Sequence, residues 1–170
     1  MEATEKQITE VFEAHYAGLC RFLTSIVGYT TAPEIAQESF LRLCKVELGS
    51  VSTDEMRFWL FRVARNLALN EVKRRNTKMR LWDRIVDSVS TSIRGPAEIL
   101  EQSEEHRRLL SLLEKLPEHQ RSALILREQE EMSYREIAVV LAVSESKIKV
   151  DIYRGRQKLR DLWNEKRNEL

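Results

Sequence analysis

The sequence predicts an all-α protein, built as two small helical domains joined by a flexible linker. Three observations carry that prediction. Apolar residues recur every three and four positions through most of the 170 residues, which is the spacing of one face of an α-helix. Only 5 Gly and 3 Pro interrupt the chain. The helical pattern lapses for long only once, near 80–100, where "DSVSTSIRGPAE" has the polar, Gly-Pro composition of a linker. A composition of 42% hydrophobic and 32% charged residues suits a globular protein of this kind.

The elements follow in order. Phe12, Tyr16, Leu19, Leu23, Ile26 and Val27 predict a first helix over about 8–28. "GYTTAP" breaks it, with Thr30 or Thr31 as cap and Pro33 near the first helical position. A second helix, about 33–47, turns Ala36, Phe40, Leu43 and Cys44 inward and Glu34, Gln37, Glu38, Leu41 and Lys45 outward. "ELGSVSTD" reads as loop, and a third helix starts at Thr53 or Asp54 and runs to about 75. Helical periodicity returns at Leu109, Leu112, Leu113 and Leu116, and Pro117 restarts the chain in a new helix. Ser133 followed by Glu136 is a capping box, in which each residue satisfies a backbone N–H of the other. Ile137, Val140 and Leu141 give the helix it opens an apolar face. "AVS" is the turn after it, and Ser144 caps the last helix. The domains are thus predicted at 1–78 and 104–170, with 79–103 as linker.

Several functions are disfavoured at once. The N-terminus lacks the apolar run of a signal peptide, and no stretch has the length of a membrane span, so a cytoplasmic protein without stable membrane insertion is predicted. Cys20 and Cys44 have no zinc-ligand spacing and fall on apolar faces, which predicts buried free thiols. His15, His106 and His119 have no local nucleophile or metal-ligand partners, and no phosphate-cradling glycine loop is present. Neither an enzyme nor a bound cofactor or metal is predicted.

The net charge of +1 conceals a strong segregation. Lys147, Lys149, Arg154, Arg156, Lys158 and Arg160 lie on the last helix against Glu145 and Asp151, six basic against two acidic residues, a net of +4. Ile148, Ile152, Leu159 and Leu162 form its docking side. A merely solvated helix also presents cations. Capping box, short turn, apolar side and charge together instead describe a recognition helix, with Glu145, Ser146, Lys147, Lys149 and Val150 toward base edges and the later arginines toward phosphates. Ala142 occupies the turn, where a left-handed residue without a Gly costs roughly 1 kcal/mol.

The third helix is more basic still. Between Met56 and Arg80 stand Arg57, Arg62, Arg65, Lys73, Arg74, Arg75, Lys78 and Arg80 against Glu71, eight against one, a net of +7. Leu60, Val63, Ala64 and Leu67 face the core. Trp59, Arg62, Asn66, Asn70 and Lys73 advance by three and four along a separate face that suits single-stranded bases: cations for phosphates, amides for base edges, a ring for stacking. Trp59 has a second reading, as a core residue. The amides are harder to assign to structure, because Asn is a poor helix former. By contrast, residues 32–55 carry Glu34, Glu38, Glu47, Asp54 and Glu55 against Arg42 and Lys45, a face that suits a basic protein partner.

Three segments together resemble the extracytoplasmic-function sigma factors, the smallest group of bacterial RNA polymerase sigma subunits: "APEIAQESFLRL" (32–43), "FWLFRVARNLALNEVKRR" (58–75) and "LPEHQRSALILREQEEMSYREIAVVLAVSESKIKVDIYRGRQKL" (116–159). The resemblance covers nearly the whole chain, in the family's order and spacing. It implies that Glu34, Gln37, Glu38, Leu41 and Arg42 dock on core RNA polymerase. It implies that Trp59, Arg62, Asn66, Asn70, Lys73, Arg74 and Arg75 open and read a minus-10 promoter element, with the loop from Glu47 to Asp54 helping to hold an extruded base. And it implies that Tyr134, Ser144, Glu145, Ser146, Lys147, Lys149, Arg154 and Arg156 contact duplex minus-35 DNA. Two elements roughly 20 base pairs apart lie about 70 Å from each other, and a linker of about 25 residues stretches to about 80 Å. The family often has Gly where this chain has Glu131 and Ala142. Many relatives are held by an anti-sigma factor, and Leu81, Trp82, Ile85 and Val86 in "LWDRIV" are expected to hold such a partner or to pack the domains together. A rival reading, a transcriptional regulator with a helical sensor before its DNA-binding head, leaves the basic amide-bearing third helix without a use.

Overall fold

The computed structural model describes residues 2–47, 49–85 and 103–168. Among these residues the regular structure is helical, in seven helices: α1 (Glu2–Val27), α2 (Ala32–Lys45), α3 (Thr53–Ile85), α4 (Glu104–Leu113), α5 (Glu118–Glu128), α6 (Tyr134–Leu141) and α7 (Glu145–Asn168).

The first half is a three-helix bundle in which α1, α2 and α3 each pack on the other two. Leu19, Phe22 and Leu23 of α1, Ala36, Phe40 and Leu43 of α2, and Leu60, Phe61 and Ala64 of α3 are all buried in it. The expected inward face of α2 holds except at its end, where Cys44 is exposed and Cys20 of α1 is only half-buried. The prediction of buried thiols is therefore corrected: residue 44 lies past the edge of the apolar stripe, beside the solvent-facing Lys45. Thr31 stands at the N-cap of α2, but its side chain caps nothing. The start of α3 carries a reciprocal cap that the sequence reading missed. Ser52 N–H donates to Glu55 at 2.9 Å, and Glu55 N–H donates to Ser52 Oγ at 3.2 Å.

α3 also runs beyond the predicted end at 75. Leu81, Trp82 and Ile85 keep a helical spacing in its last turns, but Lys78, Met79, Arg80, Leu81 and Trp82 are all exposed, so no core contact marks them. Leu81 and Trp82, at 54% and 65% exposed, do not pack the halves together. The remainder of that expectation, at Val86 and the Ile85 side chain, lies outside the described residues, as does most of the predicted linker.

In the second half, α7 packs on α5 and α6, and α4 on α7. Leu112, Leu126, Met132, Ile137, Ile148 and Ile152 are buried. The capping box of α6 forms in full, with Ser133 N–H donating to Glu136 at 2.6 Å and Glu136 N–H to Ser133 Oγ at 3.2 Å. Ser144 Oγ accepts from the Lys147 N–H, the predicted cap. The two positions where the resemblance leads to an expectation of Gly are left-handed here, with φ of 54° at Glu131 and 55° at Ala142. The halves are packed against each other, α6 on α3 and α5 on α1.

Candidate nucleic-acid interface

Three surfaces arise from these elements. On α2, Glu34, Gln37, Glu38, Leu41 and Arg42 are all exposed along one side, because the opposite side is spent on the bundle core. Arg42 Nε donates to Glu38 Oε1 at 2.8 Å, an i,i+4 pair. Leu41, half exposed, stands among these charges. An open groove of about 510 Å³ runs from this side to α3, with Glu34, Glu38, Glu71, Arg74 and Arg75 on its walls.

On α3, Arg62, Asn66, Asn70 and Lys73 are exposed together, as the spacing predicts. Trp59 is half-buried against the core and only partly shares that face. Arg57 and Arg65 do not belong to it. Both turn toward the second half, Arg57 to the Glu130 carbonyl and Arg65 to Glu118. Arg74 and Arg75 both bond Glu71, at 2.8 to 3.0 Å. The hydrogen bond from Arg74, with Arg75 adding to it, holds the Glu71 carboxyl down to about 2, so Glu71 stays ionised and locally neutralises the basic helix. Arg75 also reaches across the bundle to the Val27 carbonyl and Thr31 Oγ1. Glu47 of the loop before α3 and Asp54 in the first turn of α3 are exposed, and Gly49 of that loop takes a positive φ of 43°.

On α7, the side opposite the buried Ile148 and Ile152 is a stripe that the sequence reading only partly found. Ser146, Val150, Tyr153 and Gln157 fall at i, i+4, i+7 and i+11 and are all exposed, which places them on one line along the helix. They are uncharged. Lys149, Arg156 and Arg160 border the stripe on one side, and Lys147, Arg154 and Lys158 on the other. Gln157 Nε2 donates to Tyr153 Oη at 2.9 Å, fixing both. The signal for Tyr153 and Gln157 was available in their spacing, but the surrounding cations dominate the pattern. Asp151, read as a surface acid, is 3% exposed; Lys147 Nζ meets it at 2.8 Å and His119 at 3.6 Å. Arg156 pairs with Glu128. Tyr134 is half-buried, with the Arg127 guanidinium 4.9 Å above its ring. Ser144 and Glu145 are exposed at the start of α7.

No group of His, Cys, Asp and Glu that could hold a metal ion occurs among the described residues, and none of their helices is long and apolar enough to cross a membrane.

A basic helix with an amide face in one half and a capped helix-turn-helix with a cationic second helix in the other define a two-headed DNA-binding protein. Comparison with known proteins gives that class its family. Residues 11–78 match sigma-70 region 2, and residues 106–159 match sigma-70 region 4. The chain is 28% identical over 159 residues to the ECF RNA polymerase sigma factor SigM of Bacillus subtilis, covering 92% of this chain and 95% of that one. It is 32% identical over 131 residues to the ECF RNA polymerase sigma factor SigE of Mycolicibacterium smegmatis, covering 76% of this chain and 51% of that longer protein. Its fold resembles the sigma factor RpoE of Bartonella quintana, solved with the anti-sigma factor NepR, at a TM-score of 0.71, 21% identity and coverage of 96% and 98%. It also resembles CnrH, solved with the cytosolic domain of CnrY, at 0.66, 24% identity and coverage of 92% and 87%. The chain belongs to the extracytoplasmic-function group of the sigma-70 family. It is an alternative sigma factor, which binds core RNA polymerase and directs promoter-specific initiation of transcription.

Proposed function

We propose the following division of that work among the three surfaces. Glu34, Gln37, Glu38, Leu41 and Arg42 of α2 dock on core RNA polymerase. Arg62, Asn66, Asn70 and Lys73 of α3, with Trp59 beneath and Arg74 and Arg75 at the edge, take the strand of the minus-10 element, the amides reading bases and the cations holding phosphates. The loop from Glu47 to Asp54 supports an extruded base. Unstacking costs a few kcal/mol, which the polymerase and backbone contacts offset. Ser144, Glu145, Ser146, Lys147, Lys149, Arg154 and Arg156 of the α7 region enter the major groove of the minus-35 duplex, and Tyr134, under the Arg127 guanidinium, contacts the same duplex from the start of α6. Residues 1–78 and 104–170 act as the two reading units, connected by 79–103. The single observation that supports this division most is the joint exposure of Arg62, Asn66, Asn70 and Lys73 on one face of a helix whose opposite face is core.

The chain works in the cytoplasm, with no catalysis, cofactor or metal of its own. RpoE was solved with the anti-sigma factor NepR and CnrH with the cytosolic domain of CnrY, which supports an anti-sigma factor as a partner of this chain too. The test is reconstitution from the purified chain, sigma-free core polymerase and fragmented genomic DNA, with the transcripts sequenced. Transcripts that start downstream of one shared two-part motif, and that vanish with Asn70→Ala plus Arg74→Ala, are expected. Duplex binding without any binding to core polymerase would overturn the assignment of α2 and α3.

A further inference from the structure

The last helix carries one acid where its pattern calls for a cation. Lys147, Asp151, Arg154 and Lys158 fall at i, i+4, i+7 and i+11 of α7, a line that runs beside the uncharged stripe, one residue round the helix from it. Lys147, Arg154 and Lys158 are exposed, whereas Asp151 is 3% exposed. A bare carboxylate in this row would face the phosphates that the row attracts, and it would repel them.

The packing of α7 on α5 keeps Asp151 from doing so. One turn further on, Gly155 has no side chain, and a Cβ there would stand 2.9 Å from Leu124 Cδ1 and 3.5 Å from Gln120 Cβ. The two helices therefore approach closely, and Asp151 is covered by the start of α5. Its Oδ2 accepts from Lys147 Nζ at 2.8 Å, and its Oδ1 lies 3.6 Å from His119 Nε2. Held between the two, the carboxylate is kept from turning outward. Stability alone does not call for this arrangement, since apolar side chains of similar volume often replace a buried ion pair without loss. What the pair does fix is Lys147. A lysine is a point charge on a flexible stem, and this one is drawn along its own helix, away from the stripe. An ammonium has three donors, so the bond to Asp151 leaves two for an oxygen outside.

Resting on the assignment of α7 as the minus-35 reader, we propose that Asp151 is a positioning residue that sets the specificity of this helix. It holds Lys147 as a phosphate contact and withholds it from the base edges, where a free lysine selects guanine through O6 and N7. Discrimination is thereby left to the uncharged stripe.

The experiment is selection from duplexes randomised across the minus-35 element, on the full chain bound to core polymerase, followed by salt titration of the selected duplexes. Lys147→Ala is expected to select the wild-type sequences, with a salt slope lower by roughly one contact. Asp151→Asn keeps the shape of the side chain and removes its charge. Relative to wild type it is expected to enrich guanine about 5-fold or more at one base pair facing the first turn of α7. Adding Lys147→Ala to Asp151→Asn is expected to abolish that enrichment, because the effect passes through the lysine. A merely structural Asp151 would lower the melting temperature without moving the selected base, so unchanged selection by Asp151→Asn would overturn the proposal. An altered selection by Lys147→Ala alone would overturn it too, and that variant leaves Asp151 in place. Guanine enrichment that survives in the double variant would rule out the route through Lys147. A wild-type chain that enriches no minus-35 sequence would overturn the assignment of α7 itself, and the role of Asp151 with it.

Discussion

Arg75 donates a hydrogen bond to the main-chain carbonyl of Val27 at 3.0 Å, across 48 residues of sequence. The same guanidinium bonds Thr31 Oγ1 and Glu71. It ties the turn between α1 and α2 to α3, and it accounts for Thr31 standing at an N-cap without capping. Arg74, one residue earlier, bonds only Glu71 among the described residues and is exposed. Two adjacent arginines that look alike in sequence therefore have separable work.

Arg75→Ala is expected to cost about 1–2 kcal/mol, the range for a half-exposed charged donor to a carbonyl, and to lower the melting temperature by about 4 °C. Arg74→Ala is expected to leave melting nearly unchanged and to reduce the salt dependence of promoter-strand binding by roughly one phosphate contact. Thermal unfolding and salt-titrated binding of both variants check this. Equal melting temperatures for the two would refute the tether.

Glu131 and Ala142 are the second case. Each holds a left-handed backbone, with φ of 54° and 55°, at a helix end where the fold needs it. The Met132 N–H reaches back to the Leu126 carbonyl at 3.1 Å, and the Val143 N–H to Ala138 at 3.1 Å. A left-handed L-residue costs roughly 1–2 kcal/mol, and Gly returns part of that gain as freedom of the unfolded chain. Glu131→Gly and Ala142→Gly are each expected to stabilise by about 0.5–1 kcal/mol, and together to raise the melting temperature by about 4 °C. Calorimetry on the double variant decides it, and a lowered temperature would contradict the backbone described here.

Much of this was legible beforehand. The core stripes of α1, α2 and α3 and the exposed face of Asn66 and Asn70 follow from a period of 3.6, and the Ser133 capping box from the pairing of Ser with Glu three residues on. That period cannot say what covers a third face. Arg57 and Arg65 read as part of a basic helix because their partners, Glu130 and Glu118, lie 73 and 53 residues away. Gly18 carries no local signal either: a Cβ there would stand 2.5 Å from a carboxylate oxygen of Glu130, in the other half. Asp151 reads as a surface acid because its burial depends on Lys147 and His119 converging on it. Position along one helix is local information; the choice of partner is not.

Acid tests the Arg65–Glu118 contact. Burial alone would push the Glu118 carboxyl up, but hydrogen bonds from Arg65 and Ser122, with the nearby Arg65 and Arg121 charges, outweigh it and hold the group below 4.5. A carboxyl lowered by folding stabilises the folded contact above its unfolded value, and that stabilisation is lost as pH falls through the folded value. The packing of the halves is therefore expected to loosen below about pH 4.5. Glu71, held at about 2 chiefly by Arg74, keeps its charge through most of that range, so its pairs with Arg74 and Arg75 within α3 outlast the contact between the halves. Hydrogen exchange across a pH series, read separately on α3 and α5, checks the order. Glu118→Gln is expected to flatten the acid response of α5, and an undiminished response in that variant would assign the loosening to another group.

The α7 stripe yields the last prediction. Ser146, Val150, Tyr153 and Gln157 form an uncharged line between two cationic borders, and the major groove has the matching profile, base edges between two phosphate strands. Charge on the borders attracts every sequence alike, whereas a discriminating contact requires shape or hydrogen bonds at the base edges. A glutamine amide suits the adenine edge, and such a pair is worth about 1–3 kcal/mol against the wrong base. The bond between Gln157 and Tyr153 sets that amide before DNA arrives. Tyr153→Ala and Gln157→Ala are thus expected to change which duplexes are selected from a randomised minus-35 library, at an unchanged slope of affinity against salt. Arg154→Ala and Lys158→Ala are expected to do the reverse, lowering the slope by roughly one contact each while the selected sequences stay the same. Selection followed by salt titration reads both, and a Tyr153→Ala chain that selects the wild-type sequences would move the reading function off this stripe and onto the lysines beside it.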